Sequence, residues 1–146
     1  MRRTKLFKFL LIGGGIFNIL VSSMYIFPLG AYVNIELLSW LHIYFMLEGA
    51  VPSSSSLHGL TMLYLNGFGI VDVCLGFLLI YNSRDILNRS GIAFLDAIAR
   101  LLFAFFMIES VLSEDVSTIA IAFAIIEIIF ASMYIYLIWL LKLKVW

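Results

Sequence analysis

Long apolar runs separated by short polar breaks dominate this chain. They fall near Lys5–Phe27, Leu57–Tyr81, Gly91–Val111 and Ser117–Leu141, and each is long enough to cross a hydrocarbon layer about 30 Å thick as a helix. Polar residues interrupt every run near its middle. They are Asn18 in the first, Asp72 in the second, Asp96 with Arg100 in the third, and Glu127 in the fourth. Ionisable groups are costly in hydrocarbon unless they face a bundle interior, a partner or water. The pattern therefore predicts an all-α integral membrane protein: one domain, a four-transmembrane-helix bundle over residues 1–146, with a polar centre.

Helical phase sharpens that expectation. Asn18 shares a face with Gly14, Gly15 and Ser22, while Asp72 has Gly69 before it and Gly76 after it. Asp96 and Arg100 stand four residues apart among Ala93, Ala97 and Ala104. Glu127 is flanked by Ala120, Ala124 and Ala131. Small residues let membrane helices approach closely, so they mark packed faces rather than lipid-facing ones. Polar and small residues coincide on all four helices, which places the polar set inside the bundle.

The connections carry their own signals. From Val33 to Leu47, Leu37, Trp40, Leu41, Tyr44 and Leu47 fall on one helical face, and Asn34, Glu36, Ser39 and His42 on the other. This predicts a short interfacial helix in the first connection, lying on a leaflet or capping the bundle. Gly49–Ser56 reads as a loop whose serines offer an N-cap to the second span, and Ser113 or Asp115 can cap the fourth. Tyr25, Tyr32, Tyr81, Tyr134, Tyr136, Trp139 and Trp146 cluster toward span ends, as aromatic belts do.

Composition and charge narrow the class further. Of 146 residues, 64% are hydrophobic and 12% charged, which is more apolar surface than a water-soluble domain of this size could bury. Net charge is zero with no basic stripe, so nucleic acid is not an expected partner. The single Cys74 lies inside a span and cannot form an internal disulfide. Arg2, Arg3, Lys5 and Lys8 before an apolar run resemble a signal peptide, but the run is too long and lacks a small-x-small cleavage site, so it is read as a retained first span. Eight of the nine basic residues lie at the N-terminus, in the Arg84–Arg89 turn or at Lys142 and Lys144. The connections 28–56 and 112–116 hold only acids. The positive-inside rule then puts both termini in the cytoplasm, with the cell (inner) membrane the expected location.

Arg100 is the ninth basic residue and lies inside a span. At about 1.5 Å rise per residue, Arg100 and Glu127 fall at one depth with Asn18 close to it, while Asp72 and Asp96 share a level about one turn nearer the cytoplasm. The short connection makes the third and fourth spans neighbours. An Arg100–Glu127 ion pair, with Asp96 on the same guanidinium, is the expected satisfaction of these charges. Three carboxylates then face one guanidinium. A protonated Asp72, a bound cation, or water entering from the cytoplasmic side would each relieve the surplus.

Other candidates are weaker. His42 and His58 are too few and too near the surface for a metal cage and are expected to be solvated, and Glu109 can reach water. No Walker loop, zinc helix or serine elbow is present, no cofactor or metal is expected, and no motif calls for enzyme chemistry. A buried ion pair often only fixes helix register, and that plain role carries the first weight for the polar set.

The chain resembles the small four-span proteins of the DoxX-like and BphX-like type. The resemblance is carried by the first span ending in Pro28, by the stretch from Leu65-Asn66-Gly67-Phe68-Gly69 to Gly76 running into Tyr81-Asn82-Ser83-Arg84-Asp85, by a base in the third span and by an acid in the fourth. In that family the base is commonly Lys and the acid commonly Asp, so Arg100 and Glu127 are charge-preserving departures. The resemblance implies a left-handed membrane bundle, often of unassigned function or acting as an accessory subunit.

Two functions follow as expectations. The first is a non-catalytic accessory or scaffold subunit that packs against larger membrane partners or against copies of itself. The alternative is an intramembrane site for an amine or sterol-like small molecule, or an isomerase, using the buried carboxylates. A cavity beside the acids favours the alternative; a filled centre favours the subunit.

Overall fold

A computed structural model describes residues 2–56, 59–113 and 116–145. The expected all-α architecture is present. Five helices run as α1 (Arg2–Ile26), α2 (Pro28–Tyr44), α3 (Leu60–Asn82), α4 (Ile86–Leu112) and α5 (Ile119–Leu140). All except α2 are long and apolar enough to cross a membrane. Large apolar side chains such as Phe9, Leu20, Tyr64, Phe77, Leu95, Phe105 and Ile129 stand exposed along all four. Helices that are apolar on their outer faces belong in lipid, and this is an integral membrane bundle.

Helix ends depart from the sequence reading in instructive ways. α4 begins ahead of the expected Gly91, and a kink at Arg89 (φ −126°, ψ 16°) separates this lead-in from the spanning part. The Arg89 guanidinium lies 4.1 Å over the Tyr81 ring, which holds the bent turn on the end of α3. Ser113 closes α4, its hydroxyl donating to the Glu109 carbonyl at 2.9 Å, and does not cap α5. Ser117 takes the capping part instead, accepting the Ile119 N–H at 3.3 Å. The serine run forms a 3-10 turn over Ser54–Ser56, and α3 starts after Gly59, whose φ of 56° suits a residue without a side chain. His58, Glu114, Asp115 and Trp146 lie outside the described residues.

The bundle is built from two close pairs, α1 with α3 and α4 with α5. Glycine makes the first pair. A Cβ on Gly15 would stand 2.5 Å from the Gly76 carbonyl oxygen, and one on Gly76 would stand 2.6 Å from that of Gly15. Backbone therefore touches backbone, a packing only small residues permit. Alanine makes the second pair: Ala93, Ala97, Ala124 and Ala131 are fully buried, and Ala104 nearly so. Near the chain termini the two pairs meet in an apolar plug that includes Phe7, Leu11, Leu79, Ala97, Tyr134 and Leu137. Tyr134 is fully buried there, its hydroxyl donating to the Leu10 carbonyl at 3.2 Å. It is not part of an aromatic belt, and neither is Tyr25, whose hydroxyl accepts from Asn34. Tyr32, Tyr81, Tyr136 and Trp139 do stand exposed.

The short helix of the first connection is also present, but its polar side has a different use from the one expected. Leu29, Val33, Leu37, Trp40 and Tyr44 form an exposed apolar stripe. The opposite stripe, through Ala31, Asn34, Ile35, Leu38 and His42, turns toward the bundle. His42 is buried and its Nδ1 lies 2.7 Å from the Ser117 hydroxyl, which corrects the expectation of a solvated histidine. A buried imidazole must find a partner, and the loop before α5 supplies it. The Thr118 N–H also donates to the Glu48 carbonyl at 2.9 Å, tying the segment after α2 to the same loop.

Candidate functional site: a buried polar network beside a cavity

Arg100 organises the centre of the molecule. The (i, i+4) spacing on α4 brings Asp96 to it, with Nε donating to Asp96 Oδ2 at 2.6 Å. Nη1 donates to Glu127 Oε2 on α5, and Nη2 donates to Asn18 Oδ1 on α1 at 2.5 Å. The guanidinium carbon lies 5.2 Å from the centre of the Phe130 ring. Asp96 and Arg100 are only 3% and 5% exposed, so these bonds replace water rather than compete with it. The expected Arg100–Glu127 pair and the Asp96 contact are both formed. Asn18, placed only near that depth by the sequence, is a direct partner.

Asn18 then passes the network to α3. Its Nδ2 donates to Asp72 Oδ1 at 3.1 Å, and the Ser22 hydroxyl donates to Asp72 Oδ2. Asp72 thus stands at the level of Asn18 and Ser22 on α1, and not one turn nearer the termini with Asp96 as expected. Glycine packing explains the register. Gly76 lies against Gly15, and a Cβ on Gly69 would stand 2.8 Å from the Ser22 carbonyl oxygen, so the position between them faces residues 18–22. Ser22 was legible as a companion of Asn18 on one face, but not as a hydrogen-bond donor. All five candidate residues meet in one network, and all four spans contribute to it.

A cavity of about 450 Å³ opens beside this network. Asn18, Ser22, Asp72, Asp96, Arg100 and Glu127 form its polar end. The rest of the wall is apolar and rich in rings, with Phe68, Phe103 and Phe123 on the side of α2 and Phe17, Val71 and Ala99 beside the polar groups. Ile35 and Leu38 of α2 lie over it, so this helix roofs the bundle. α2 is held by Asn34 to Tyr25, by His42 to Ser117 and by Ser54 Oγ to Glu36 Oε1 at 2.5 Å. The size and the mixture of apolar wall with a few convergent polar groups are those of a small-molecule site.

Most residues that line the cavity come from the half of each span nearer α2, such as Tyr25 of α1, Leu65 of α3 and Met107 of α4. The opposite half is filled by the apolar plug around Phe7, Leu79 and Tyr134. Relief of the charge surplus by water from the side of the termini is therefore not the arrangement found. Among the described residues no three His, Cys, Asp or Glu side chains converge as metal ligands.

The network contains three carboxylates and one guanidinium, and the charges are not shared evenly. Asp96 and Glu127 hold Arg100 between them. Asp72 has only the neutral donors Asn18 and Ser22, with no ion pair among the described residues. No family model matches the chain, and no curated protein or solved structure matches it either.

Proposed function

We propose that this protein binds a small, largely apolar molecule within the membrane, in the cavity between its two helix pairs. The observation that carries the reading is the cavity itself. A bundle whose polar residues served only to fix register would close its small-residue faces around them. Here the network joins all four spans by hydrogen bonds, yet a largely apolar space of ligand size remains beside it. The network supplies orientation, the rings supply burial, and α2 closes the end. The competing reading, an accessory subunit of DoxX-like type packed against larger membrane partners, was tied to a filled centre and has less support.

Orientation completes the proposal. With the basic residues on the side of the termini, that side is cytoplasmic and the cavity faces the outer leaflet of the cell membrane. Ligand would then enter from that leaflet or from outside, past α2.

Native mass spectrometry of the full chain, extracted mildly from its own membrane, tests the reading. Wild type should carry a non-protein adduct lighter than a phospholipid, and Ala99→Phe, which puts a ring at the cavity wall, should carry less of it. Identical adducts on both proteins would overturn it.

A further inference from the structure

We infer that the occupant is a cationic amphiphile: a protonated aliphatic amine on an apolar body, its ammonium group on Asp72 and its body against the aromatic wall. This rests on the ligand reading above and narrows it to one head-group chemistry.

Arg100 has its charge answered. Three of its five N–H groups donate, to Asp96, Glu127 and Asn18, and the guanidinium is held between two carboxylates. The Asn18 amide and the Ser22 hydroxyl each donate to Asp72, and Asn18 also bonds Asp96. A head group that only accepts hydrogen bonds, such as a ketone or quinone, would leave Asp72 without a charged partner. An anionic head would meet three carboxylates against a single cation.

Acceptors are plentiful by contrast. An ionised carboxylate offers about four lone-pair directions, and Asp72 receives two hydrogen bonds, neither from a charged group. It lines the cavity, where among the described residues Arg100 is the one basic side chain. An ammonium group there gives Asp72 the opposite charge that the network withholds, and its N–H groups fill the open lone pairs. The apolar wall reinforces the choice. Phe17, Phe68, Phe103 and Phe123 present rings to the same space, and ring faces attract cations while accepting an apolar body. A neutral alcohol would gain the burial but neither the ion pair nor the ring attraction. Cavity, ring wall and a carboxyl group with no ion pair among the described residues coincide at Asp72, and together they specify an amine.

The test compares phenylbutylamine with phenylbutanol, which share a body and differ in the head. Binding of each to the full chain in zwitterionic lipid nanodiscs is measured by equilibrium dialysis, with empty nanodiscs subtracted. Wild type should bind the amine at least about tenfold more tightly than the alcohol, as a desolvated charge-assisted bond requires. Asp72→Asn keeps the shape and should lower the amine to the affinity of the alcohol while leaving the alcohol within about twofold. Phe103→Leu keeps an apolar wall without the ring and should weaken the amine more than the alcohol. That variant carries the comparison if Asp72→Asn does not fold. Equal wild-type affinities, or an amine preference that survives either change, would overturn the inference and leave the ligand reading standing. Binding of neither probe to wild type would overturn both.

Discussion

At the residue scale the molecule turns on Arg100, and this part of the site was legible in the sequence. A guanidinium four residues from one carboxylate, and level with another across a short connection, has few ways to satisfy itself in lipid. What the spacing could not supply was the second coordinate of each bond. It gave a face and an approximate depth for each side chain but not the register between helices. Asn18 therefore emerged as the bridge between helix pairs only in the folded bundle, and Asp72 shifted to Ser22. Removing either Arg100 or Glu127 alone leaves a buried charge without its partner. Arg100→Met or Glu127→Gln should each cost about 3–5 kcal/mol, and the double variant less than their sum, in reversible unfolding from mixed micelles. Additive losses would show that the two side chains do not interact. Asn82 makes the opposite prediction. Its side chain is fully buried and its amide has no hydrogen-bond partner among the described residues. Asn82→Leu should therefore raise stability, by about 1–3 kcal/mol on the same assay.

Elements were legible to different degrees. The four spans follow from apolar length alone, because no other structure satisfies so long a run of backbone in lipid. Their ends were less legible: the kink at Arg89 lets helix continue where the charge pattern reads as a turn, and Ser117 caps α5 from a position taken to be inside it. α2 was recognisable by its period, yet its polar stripe faces the bundle rather than water, since Asn34 and His42 find partners there. Amphipathic spacing reports that two faces differ, not what each one meets. Glycine packing gives the element-scale prediction. Gly76→Ala puts a methyl group into the Gly15 backbone and should destabilise α1 against α3 by roughly 1–3 kcal/mol. Gly67→Ala lies in the same helix with nothing within 4 Å of the added carbon, and should be neutral or slightly stabilising. Equal effects in unfolding would remove the close approach as the basis of this pair.

The whole molecule is two tight helix pairs joined at one end by an apolar plug, in the middle by the Arg100–Asn18 bond, and at the other end by α2. Its topology has a direct check. On a Cys74→Ser background, a cysteine at position 36 should react with an impermeant reagent added outside cells, and one at position 87 should not. Outside labelling at 87 would invert the orientation. The cavity was the least legible feature, because a void is set by how helices cross and not by what any stretch of sequence contains. It is also the feature on which the functional proposal depends, and Ala99 lies in its wall. The most direct measurement is the unfolding free energy of Ala99→Phe against wild type in ligand-free micelles. A ring entering open apolar space should leave stability unchanged or raised. A loss of about 1–3 kcal/mol, as overpacking of a filled core produces, would contradict the cavity and the ligand site with it.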